Sequence, residues 1–446
     1  MKVMIRKLTQ TQMIVIGYAL IILIGSLFLM LPAASRDGLA TSFPDALFTA
    51  TSASCVTGLV IADTFNKWTM FGQCIILALI QIGGLGFMTI GVFFAIILRR
   101  KIGLWMRGTL QESVNILQIG GIVRLAKKIM LGTLLFEGVG AALLAFRFQE
   151  QMGWGKAVYY GIFHSISAFC NAGFDLMGKD APYASFTGYY DDPLVNIVIM
   201  ALIIIGGIGF FVWNDVSAHR YHISRYRLHT KIVLVTTAIL VIGGAALLYL
   251  FESQNTLEGM STQGKVLSSL FGSVTARTAG FNTVDTAALT DNSKMLTIFL
   301  MFIGGSPGST AGGIKTTTFV VLLVYVSANL RNKTYCNIFG RRLDDGAIRK
   351  ASTVLCTNLF LVFMAVMILA AIQPQPGMDI VFEVASAIGT VGMSTGITRD
   401  LTEVSKLVLV FLMYCGRVGS LTFALSLRGH KAEVPVKVPV EPITIG

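Results

Sequence analysis

Arg277-Thr-Ala-Gly280-Phe-Asn-Thr283 is one of four short glycine-containing segments that recur along this chain of 446 residues. The other three are Ser54-Cys-Val-Thr-Gly58-Leu59, Cys170-Asn-Ala-Gly173-Phe174 and Gly389-Thr-Val-Gly392-Met-Ser-Thr395. Each of these glycine segments follows a short apolar stretch and precedes a long one, and their glycines are 115, 107 and 112 residues apart. Such regular spacing indicates internal repeats. Fourfold repetition is also the arrangement that a central ion pore needs.

The composition indicates a membrane protein. Hydrophobic residues make up 54% of the chain and charged residues only 13%, which excludes an ordinary soluble protein of this length. A helix needs about 20 apolar residues to cross the hydrocarbon core of a bilayer. Runs of this kind predict eight spans, near 13–31, 68–98, 128–148, 193–213, 231–251, 294–328, 350–372 and 405–427.

The basic residues indicate the orientation of these spans. Most of the 35 Lys and Arg residues lie in the termini and in the connections 99–127, 214–231 and 329–350. The positive-inside rule therefore predicts a multi-pass protein of the cell membrane with both termini in the cytoplasm. No single patch gathers the net charge of +12, so we expect no nucleic-acid partner. The basic N-terminus is also typical of a signal peptide, but its removal would break the repeat.

Each quarter of the chain contains a span, a short helix, a glycine segment and a second span. At about 1.5 Å per residue the short helices cover about half a bilayer, so we expect re-entrant half-helices at 43–53, 157–169, 263–276 and 379–389. The predicted fold is an all-α polytopic membrane protein in which four span–half-helix–span repeats, with eight transmembrane helices and four half-helices, surround a central pore. The predicted repeats are 1–112, 113–228, 229–345 and 346–428, followed by a cytoplasmic tail at 429–446.

The glycine segments are suited to binding a dehydrated cation. Such an ion needs several oxygen dipoles at once, and rings of backbone carbonyls supply them. Glycine adopts the required backbone angles at the least steric cost, and the C-terminal end of each half-helix dipole favours a cation. The predicted cation-binding stretches of this filter are 56–59, 171–174, 278–281 and 390–393. The residues that we expect to supply the carbonyls are Val56, Thr57, Gly58, Asn171, Ala172, Gly173, Thr278, Ala279, Gly280, Thr390, Val391 and Gly392.

Side chains around these segments have predicted supporting roles. The hydroxyls of Thr57, Thr278 and Thr390 are expected to brace the turns, and Asp175 and Asp285 to attract cations at the outer mouth. The paired glycines 83–84, 206–207 and 243–244 are instead typical of helix packing. Glu137 is expected to face another span or a cavity, and His164 is expected to be a packed polar residue. No Cys or His spacing predicts a transition-metal site or a disulfide framework.

The sixth apolar run, 294–328, contains a sequence that cannot remain helical. Its centre, Gly304-Gly-Ser-Pro-Gly-Ser-Thr-Ala-Gly-Gly-Ile-Lys-Thr316, is too rich in glycine and includes a proline. An irregular segment at this depth must line a cavity, and the pore below the filter provides one. We therefore interpret 306–315 as a gate. The predicted gate residues of this loop are Ser306, Pro307, Gly308, Ser309, Thr310, Ala311, Gly312, Gly313 and Lys315. A nucleotide-binding loop is disfavoured, because Ile314 separates Gly313 from Lys315.

Arg417 lies inside the eighth span, at the place where other quarters carry paired glycines. A charge at this depth is costly and indicates a functional residue. Its guanidinium is predicted to bond carbonyls of the 306–315 loop and to hold the gate shut. The alternative is an arginine that extends to the membrane interface.

The chain resembles the membrane subunit of the Trk/Ktr/HKT superfamily of potassium transporters over essentially its full length, and 276–283 carries the most specific similarity. The short sequence before the first span is similar to Ktr-type members. The resemblance implies a preference for potassium, because all four filter positions are glycine. It also implies a homodimer docked on a ring of cytosolic nucleotide-binding regulatory subunits, with the connections 99–128 and 331–350 as candidate docking surfaces.

These observations predict a potassium-selective, channel-like uptake transporter and not an enzyme. Potassium is the expected substrate, no covalent cofactor is expected, and membrane lipid is an expected partner. Two alternatives stay open. One is a sodium-coupled or sodium-transporting member of the same superfamily, and the other is an alternating-access transporter of a different fold, which predicts inverted repeats.

Overall fold

The structure is a computed structural model that describes residues 9–98, 108–112, 122–179 and 181–427, together with 439, 441, 443 and 444. Apolar segments of this length fold as helices because a helix satisfies its own backbone hydrogen bonds. The prediction of a helical fold is confirmed. The first seven helices are α1 (Gln10–Leu29), α2 (Phe43–Ser54), α3 (Met70–Leu85), α4 (Phe87–Ile97), α5 (Ile122–Phe169), α6 (Pro193–Gly207) and α7 (Phe210–His219). The next eight are α8 (Leu228–Glu252), α9 (Thr262–Thr275), α10 (Asp291–Phe302), α11 (Thr316–Leu330), α12 (Asp345–Ile372), α13 (Gly377–Gly389), α14 (Glu403–Val418) and α15 (Ser420–Leu427).

The other regular elements are small. A helix of four residues, Thr64–Lys67, precedes α3, and short 3₁₀ turns lie at Pro32–Ala34, Thr187–Tyr189, Ile223–Arg225 and Ile397–Asp400. Within the described chain, one two-stranded antiparallel hairpin pairs β1 (Asn337–Ile338) with β2 (Arg341–Arg342). This hairpin lies in the connection between α11 and α12.

Four helices of the described chain are long and apolar enough to cross a bilayer by themselves, namely α1, α5, α8 and α12. Three further pairs meet the same criterion only when each bent pair is taken as one span, which gives up to seven spans. The chain is therefore a multi-pass membrane protein. The sixth expected span, 294–328, is divided into α10 and α11 by the loop 303–315.

The structure bends the chain within the spans expected near 68–98, 193–213 and 405–427. The α3–α4 pair bends by 93°, α6–α7 by 95° and α14–α15 by 96°. Gly86, Gly209 and Gly419 lie at the three bends with φ values of +78°, +94° and +93°. This left-handed conformation is accessible to glycine and ends a right-handed helix.

The half-helices lie close to their predicted positions. Helices α2, α9 and α13 begin and end within two residues of the predicted bounds. The second half-helix and the span before it together form α5. Gly153 separates the two parts, because its φ of 74° and ψ of 159° are not helical. Its C-terminal end at Phe169 is the predicted one.

The four half-helices are linked to neighbouring spans in a cyclic order. Tyr159 on the second half-helix donates to Gln73 on α3 (2.8 Å), and Ser261 at the start of α9 donates to Asp191 before α6 (2.7 Å). Two ion pairs complete the cycle: Lys294 on α10 with Asp379 on α13 (3.1 Å), and Lys406 on α14 with Asp45 on α2 (2.7 Å). The second span of each quarter therefore contacts the half-helix of the next quarter, and the fourth contacts the first.

Candidate functional site

The four glycine segments form a closed ring at the centre of the fold. A Cβ atom added to Gly58 would lie 2.5 Å from the carbonyl oxygen of Ala172, and one added to Gly173 would lie 2.5 Å from that of Ala279. A Cβ atom added to Gly280 would lie 2.5 Å from the carbonyl oxygen of Val391. The ring closes where a Cβ on Gly392 would lie 2.2 Å from the carbonyl oxygen of Thr57. Each of these four carbonyl oxygens therefore lies against the glycine of a neighbouring segment.

The backbone of the ring repeats one unusual conformation four times. The glycines have φ values of +91°, +70°, +84° and +90° in chain order. Two residues before each of them, a residue other than glycine is also left-handed: Val56 (58°), Asn171 (60°), Thr278 (78°) and Thr390 (51°). Such conformations cost about 1–3 kcal/mol each and are concentrated at functional sites. The fourfold repetition makes the ring the candidate functional site.

Hydroxyl groups of the half-helices support the ring. Ser52 and Ser386 accept hydrogen bonds from the amides of Gly58 and Gly392, each at 3.1 Å. Ser167 donates to the carbonyl of Phe174 (2.7 Å). Thr275 donates to the carbonyl of Phe281 (2.6 Å). These four residues were missed in the sequence, because a hydroxyl six or seven residues before a turn carries no signal of its own.

The threonines that were expected to brace the turns differ from these half-helix hydroxyls in their hydrogen bonding. Among the described residues, the Oγ1 atoms of Thr57 and Thr390 are buried without a hydrogen-bond partner. Thr278 Oγ1 accepts a bond from Asn171 Nδ2 (3.2 Å), which joins two neighbouring segments. The prediction of threonine braces is therefore wrong for the first and fourth segments, where the bracing oxygens belong to the half-helix serines.

Asp175 and Asp285, which were predicted to attract cations at the outer mouth, differ in their exposure to solvent. Asp285 is exposed and accepts from the amide of Ala287 (3.0 Å), whereas Asp175 is half-buried and accepts from the amide of Met177 (2.9 Å). Each carboxylate therefore stabilises its own turn just after a glycine segment.

The paired glycines pack as predicted, and the structure adds a fourth-quarter counterpart. A Cβ on Gly83 would lie 1.9 Å from the carbonyl oxygen of Ser54, and one on Gly206 would lie 2.0 Å from that of Phe169. Gly416 approaches the carbonyl of Ile388 at 2.2 Å in the same way, and Gly244 approaches Ser273 Oγ at 2.4 Å. These glycines let the spans contact the ends of the half-helices directly.

The loop 303–315 lies beside the ring and bonds to the second quarter. The amides of Ser306 and Thr310 donate to the carbonyls of Gly207 (3.0 Å) and Gly206 (3.3 Å), and the carbonyl of Gly308 accepts from Phe210 (2.8 Å). Thr310 Oγ1 also lies 3.0 Å from the carbonyl oxygen of Phe169 and 3.3 Å from Asn171 Oδ1. The loop is therefore held by hydrogen bonds to backbone groups on both sides of the bend at Gly209.

The other side of the loop contacts the fourth quarter. A Cβ on Gly312 would lie 2.0 Å from Thr390 Oγ1, and one on Gly313 would lie 3.1 Å from the carbonyl oxygen of Gly389. Within the loop, Lys315 Nζ donates to the carbonyls of Ala311 (2.7 Å) and Gly312 (3.3 Å). Ser309 donates to the carbonyl of Ser306, and the Ser306 hydroxyl bonds that of Thr316. Pro307 precedes Gly308, whose φ is +64°.

Arg417 joins the loop to the first quarter. Its guanidinium donates to the carbonyl of Thr310 in the loop and to the carbonyls of Gly83 and Gly84 at the end of α3, the last at 2.8 Å. The side chain thus points inward and not toward the membrane interface. A planar guanidinium can satisfy several carbonyls at once, and lysine lacks this geometry.

The chain as a whole matches a known family. The model of the TrkH family, described as a cation transport protein, matches residues 4–432. The chain belongs to this family. It is 42% identical to the potassium/sodium uptake protein NtpJ of Enterococcus hirae, with 100% of this chain and 99% of that protein covered. It is also 42% identical to the Ktr system potassium uptake protein B of Bacillus subtilis, over 94% of this chain and 93% of that protein.

The crystal structure of the potassium transporter TrkH from Vibrio parahaemolyticus has a similar fold. It aligns with a TM-score of 0.74 at 21% identity, covering 94% of this chain and 84% of that one. At this identity the likeness concerns the fold alone. The suspected Trk and Ktr relationship is confirmed by the family match and by the relatives together.

Three buried polar residues stabilise the surroundings of the ring. His164 is fully buried, and its ring nitrogens contact the carbonyl of Tyr160 (2.7 Å) and the amide of Leu176 (3.1 Å). Glu137 accepts from Gln81 Nε2 (3.2 Å). Glu383 was not predicted, and it accepts hydrogen bonds from the hydroxyls of Ser394 (2.8 Å) and Thr398, just after the fourth segment. In the described parts of the chain, no group of three or more metal-ligating side chains occurs.

Replacing Ser386 by alanine is expected to lower the stability of the protein. The substitution leaves the amide of Gly392 without its acceptor, and an unsatisfied buried donor costs about 1–3 kcal/mol. The measurement is the thermal unfolding midpoint of purified protein in detergent. Ser253→Ala is the matched control, because the Ser253 hydroxyl bonds Leu250 in an exposed position. Equal midpoints for Ser386→Ala and the parent would remove this residue from the support of the ring.

Proposed function

We propose that this protein is the membrane subunit of a potassium uptake transporter and that cations cross the membrane through the ring of glycine segments. The observation that carries this proposal is the fourfold contact between a glycine and the neighbouring carbonyl oxygen. A closed ring of backbone carbonyls can replace the hydration shell of a cation without a titratable group. The similar proteins include potassium uptake proteins, which supports the same substrate.

The filter is proposed to use the backbone carbonyls of all four segments. The lining stretches are 56–58, 171–173, 278–280 and 390–392, each with a left-handed residue at its first and last position. The half-helices end at these stretches, so the negative ends of their dipoles favour a cation at the ring. Potassium is the proposed substrate, and no covalent cofactor is required.

The loop 306–315 and Arg417 are proposed to form the gate. The loop bonds the second quarter through Thr310 and Gly308, and Arg417 holds it to the first quarter. The connection between the loop and the ring is short, because Gly312 lies against Thr390. A displacement of the loop would therefore open space directly beside the filter.

The remaining parts of the proposal concern the assembly. We propose a homodimer of four-repeat subunits with eight spans, repeat boundaries at 112, 228 and 345, and both termini in the cytoplasm. A cytosolic nucleotide-binding subunit is the proposed regulator, and two relatives from Bacillus subtilis are named as parts of a Ktr system. The predicted tail 429–446 and most of the connection 99–128 lie outside the described residues.

Uptake of radioactive rubidium into liposomes tests the proposed function. Purified protein is expected to accumulate rubidium, and unlabelled potassium is expected to compete far better than sodium. The assay is repeated with an inward sodium gradient and without sodium, which separates a coupling role of sodium from simple activation. If unlabelled sodium reduces the protein-dependent uptake of rubidium as strongly as unlabelled potassium does, the result contradicts a potassium-selective filter.

Arg417→Gln is expected to increase rubidium flux in the absence of any regulatory subunit by about tenfold. The substitution removes charge-assisted hydrogen bonds, which contribute about 1.5–3 kcal/mol each, from the contact between the loop and α3. Arg349→Gln, at an exposed site near the start of α12, is the matched control for loss of one positive charge. A properly folded Arg417→Gln protein with reduced flux would indicate a structural role instead.

A further inference from the structure

An apolar groove lies on the outer side of the molecule between α8 and α11. Its cavity volume is about 470 Å³, within the range of about 300–1,000 Å³ that is typical of ligand sites. The groove continues along the membrane-spanning part of both helices and ends at the β1–β2 hairpin.

The walls of the groove are formed by side chains that a soluble protein would bury. Val235 and Ile239 line it from α8, and Phe319 and Leu323 line it from α11. Ile239 is 65% exposed and Leu323 is 53% exposed. Surfaces of this kind contact the acyl chains of lipids in a membrane protein, whereas large exposed apolar patches on soluble proteins are rare.

The mouth of the groove is basic. Arg331 and Lys333 line it directly after α11 and are exposed. In the part of the chain that the structure describes, neither forms an ion pair. Arg342 stacks over the ring of Tyr335 at 3.8 Å, and Phe339 completes the rim. Aromatic and basic side chains at the end of a span are typical of the level of lipid headgroups.

We propose that this groove binds an anionic phospholipid, with an acyl chain between α8 and α11 and the phosphate between Arg331 and Lys333. Basic pockets between transmembrane helices are suited to anionic headgroups. The lipid supplies both the apolar chain and the negative charge that the groove lacks. This site is separate from the proposed cation path and does not depend on it.

Native mass spectrometry of the full-length protein tests the proposal. Purified protein in detergent is mixed with phosphatidylglycerol or with phosphatidylcholine of the same acyl composition. We expect retention of phosphatidylglycerol in preference to phosphatidylcholine. The double variant R331Q/K333Q is expected to weaken phosphatidylglycerol binding by about 25-fold, since each basic residue near a membrane surface contributes about fivefold.

Two further variants separate the headgroup contacts from the acyl chain. Ser327→Phe fills the groove, because Ser327 lines it, and is expected to reduce retention while leaving the basic mouth unchanged. R349Q/K350Q removes two exposed charges from α12, which does not line the groove, and is expected to retain lipid as the parent does. Equal retention of both lipids, or unchanged binding by R331Q/K333Q, would overturn the proposal. The proposal would also be overturned if the protein forms a dimer without bound lipid and Ser327→Phe converts this dimer to a monomer. That result would assign the groove to a second copy of the chain.

Discussion

Gly58→Ser is expected to lower the preference for potassium over sodium by about tenfold or more. A Cβ at this position would lie 2.5 Å from the carbonyl oxygen of Ala172 and 3.2 Å from the Cα of Gly173. Both atoms belong to the backbone and cannot rotate away. The φ of +91° adds strain for any residue other than glycine, at about 1–3 kcal/mol. A free-energy difference of about 1.4 kcal/mol corresponds to a factor of ten in binding. Strain of this size in the ring is therefore enough to remove most of the discrimination between potassium and sodium.

The measurement is competition between potassium, sodium and radioactive rubidium in liposomes. Gly243→Ser is the matched control, because Gly243 lies in α8 with no atom within 4 Å of an added Cβ. The control is expected to behave as the parent. If Gly58→Ser protein is folded and discriminates as the parent does, Gly58 does not contribute to the filter.

Deleting residues 308–313 is expected to increase rubidium flux in the absence of a regulatory subunit by more than about tenfold. The deletion removes the bonds of Gly308 to Phe210, of Thr310 to Gly206 and of Arg417 to Thr310. Each bond contributes about 0.5–1.5 kcal/mol when neutral and more when charged. Their sum exceeds the effect of replacing Arg417 alone, so the deletion should give the larger increase.

The same preparation provides an internal control for the deletion. The glycine ring retains its half-helix braces at Ser52 and Ser386, so competition by sodium should remain as weak as in the parent. High flux with preserved potassium preference supports a gate that is separate from the filter. Flux at the parental level would dismiss the gate, and high flux without selectivity would indicate that the loop holds the ring together.

The half-helices and the glycine segments could be predicted because their signals are local. A short amphipathic stretch that ends in a small residue and a glycine is visible in the sequence, and the bounds of α2, α9 and α13 differ from the predicted ones by two residues or fewer. The inward position of Arg417 also follows from a local argument, since a charge in an apolar run needs polar partners. The identity of those partners at Gly83 and Gly84 required the structure.

The bends at Gly86, Gly209 and Gly419 could not be predicted in the same way. A lone glycine within an apolar run is tolerated in membrane helices, and only the fold decides whether it adopts a left-handed φ. The serine braces depended on contacts across a turn, and Glu383 depended on hydroxyls that follow the fourth segment. In each case the functional geometry arises from tertiary contacts and not from the spacing of residue types.

The bends at Gly86 and Gly209 have a consequence for water. Each bend interrupts the helical hydrogen bonding of a span, and the carbonyls of Gly83, Gly84, Gly206 and Gly207 bond the 303–315 loop or Arg417. Polar groups at this depth cannot be left dry without a partner. If the loop leaves as the proposed gate, water must hydrate these carbonyls and the groups that the loop carries away. Opening of the proposed gate would therefore be a wetting step, and solutes that withdraw water from the proposed pore should favour the closed arrangement.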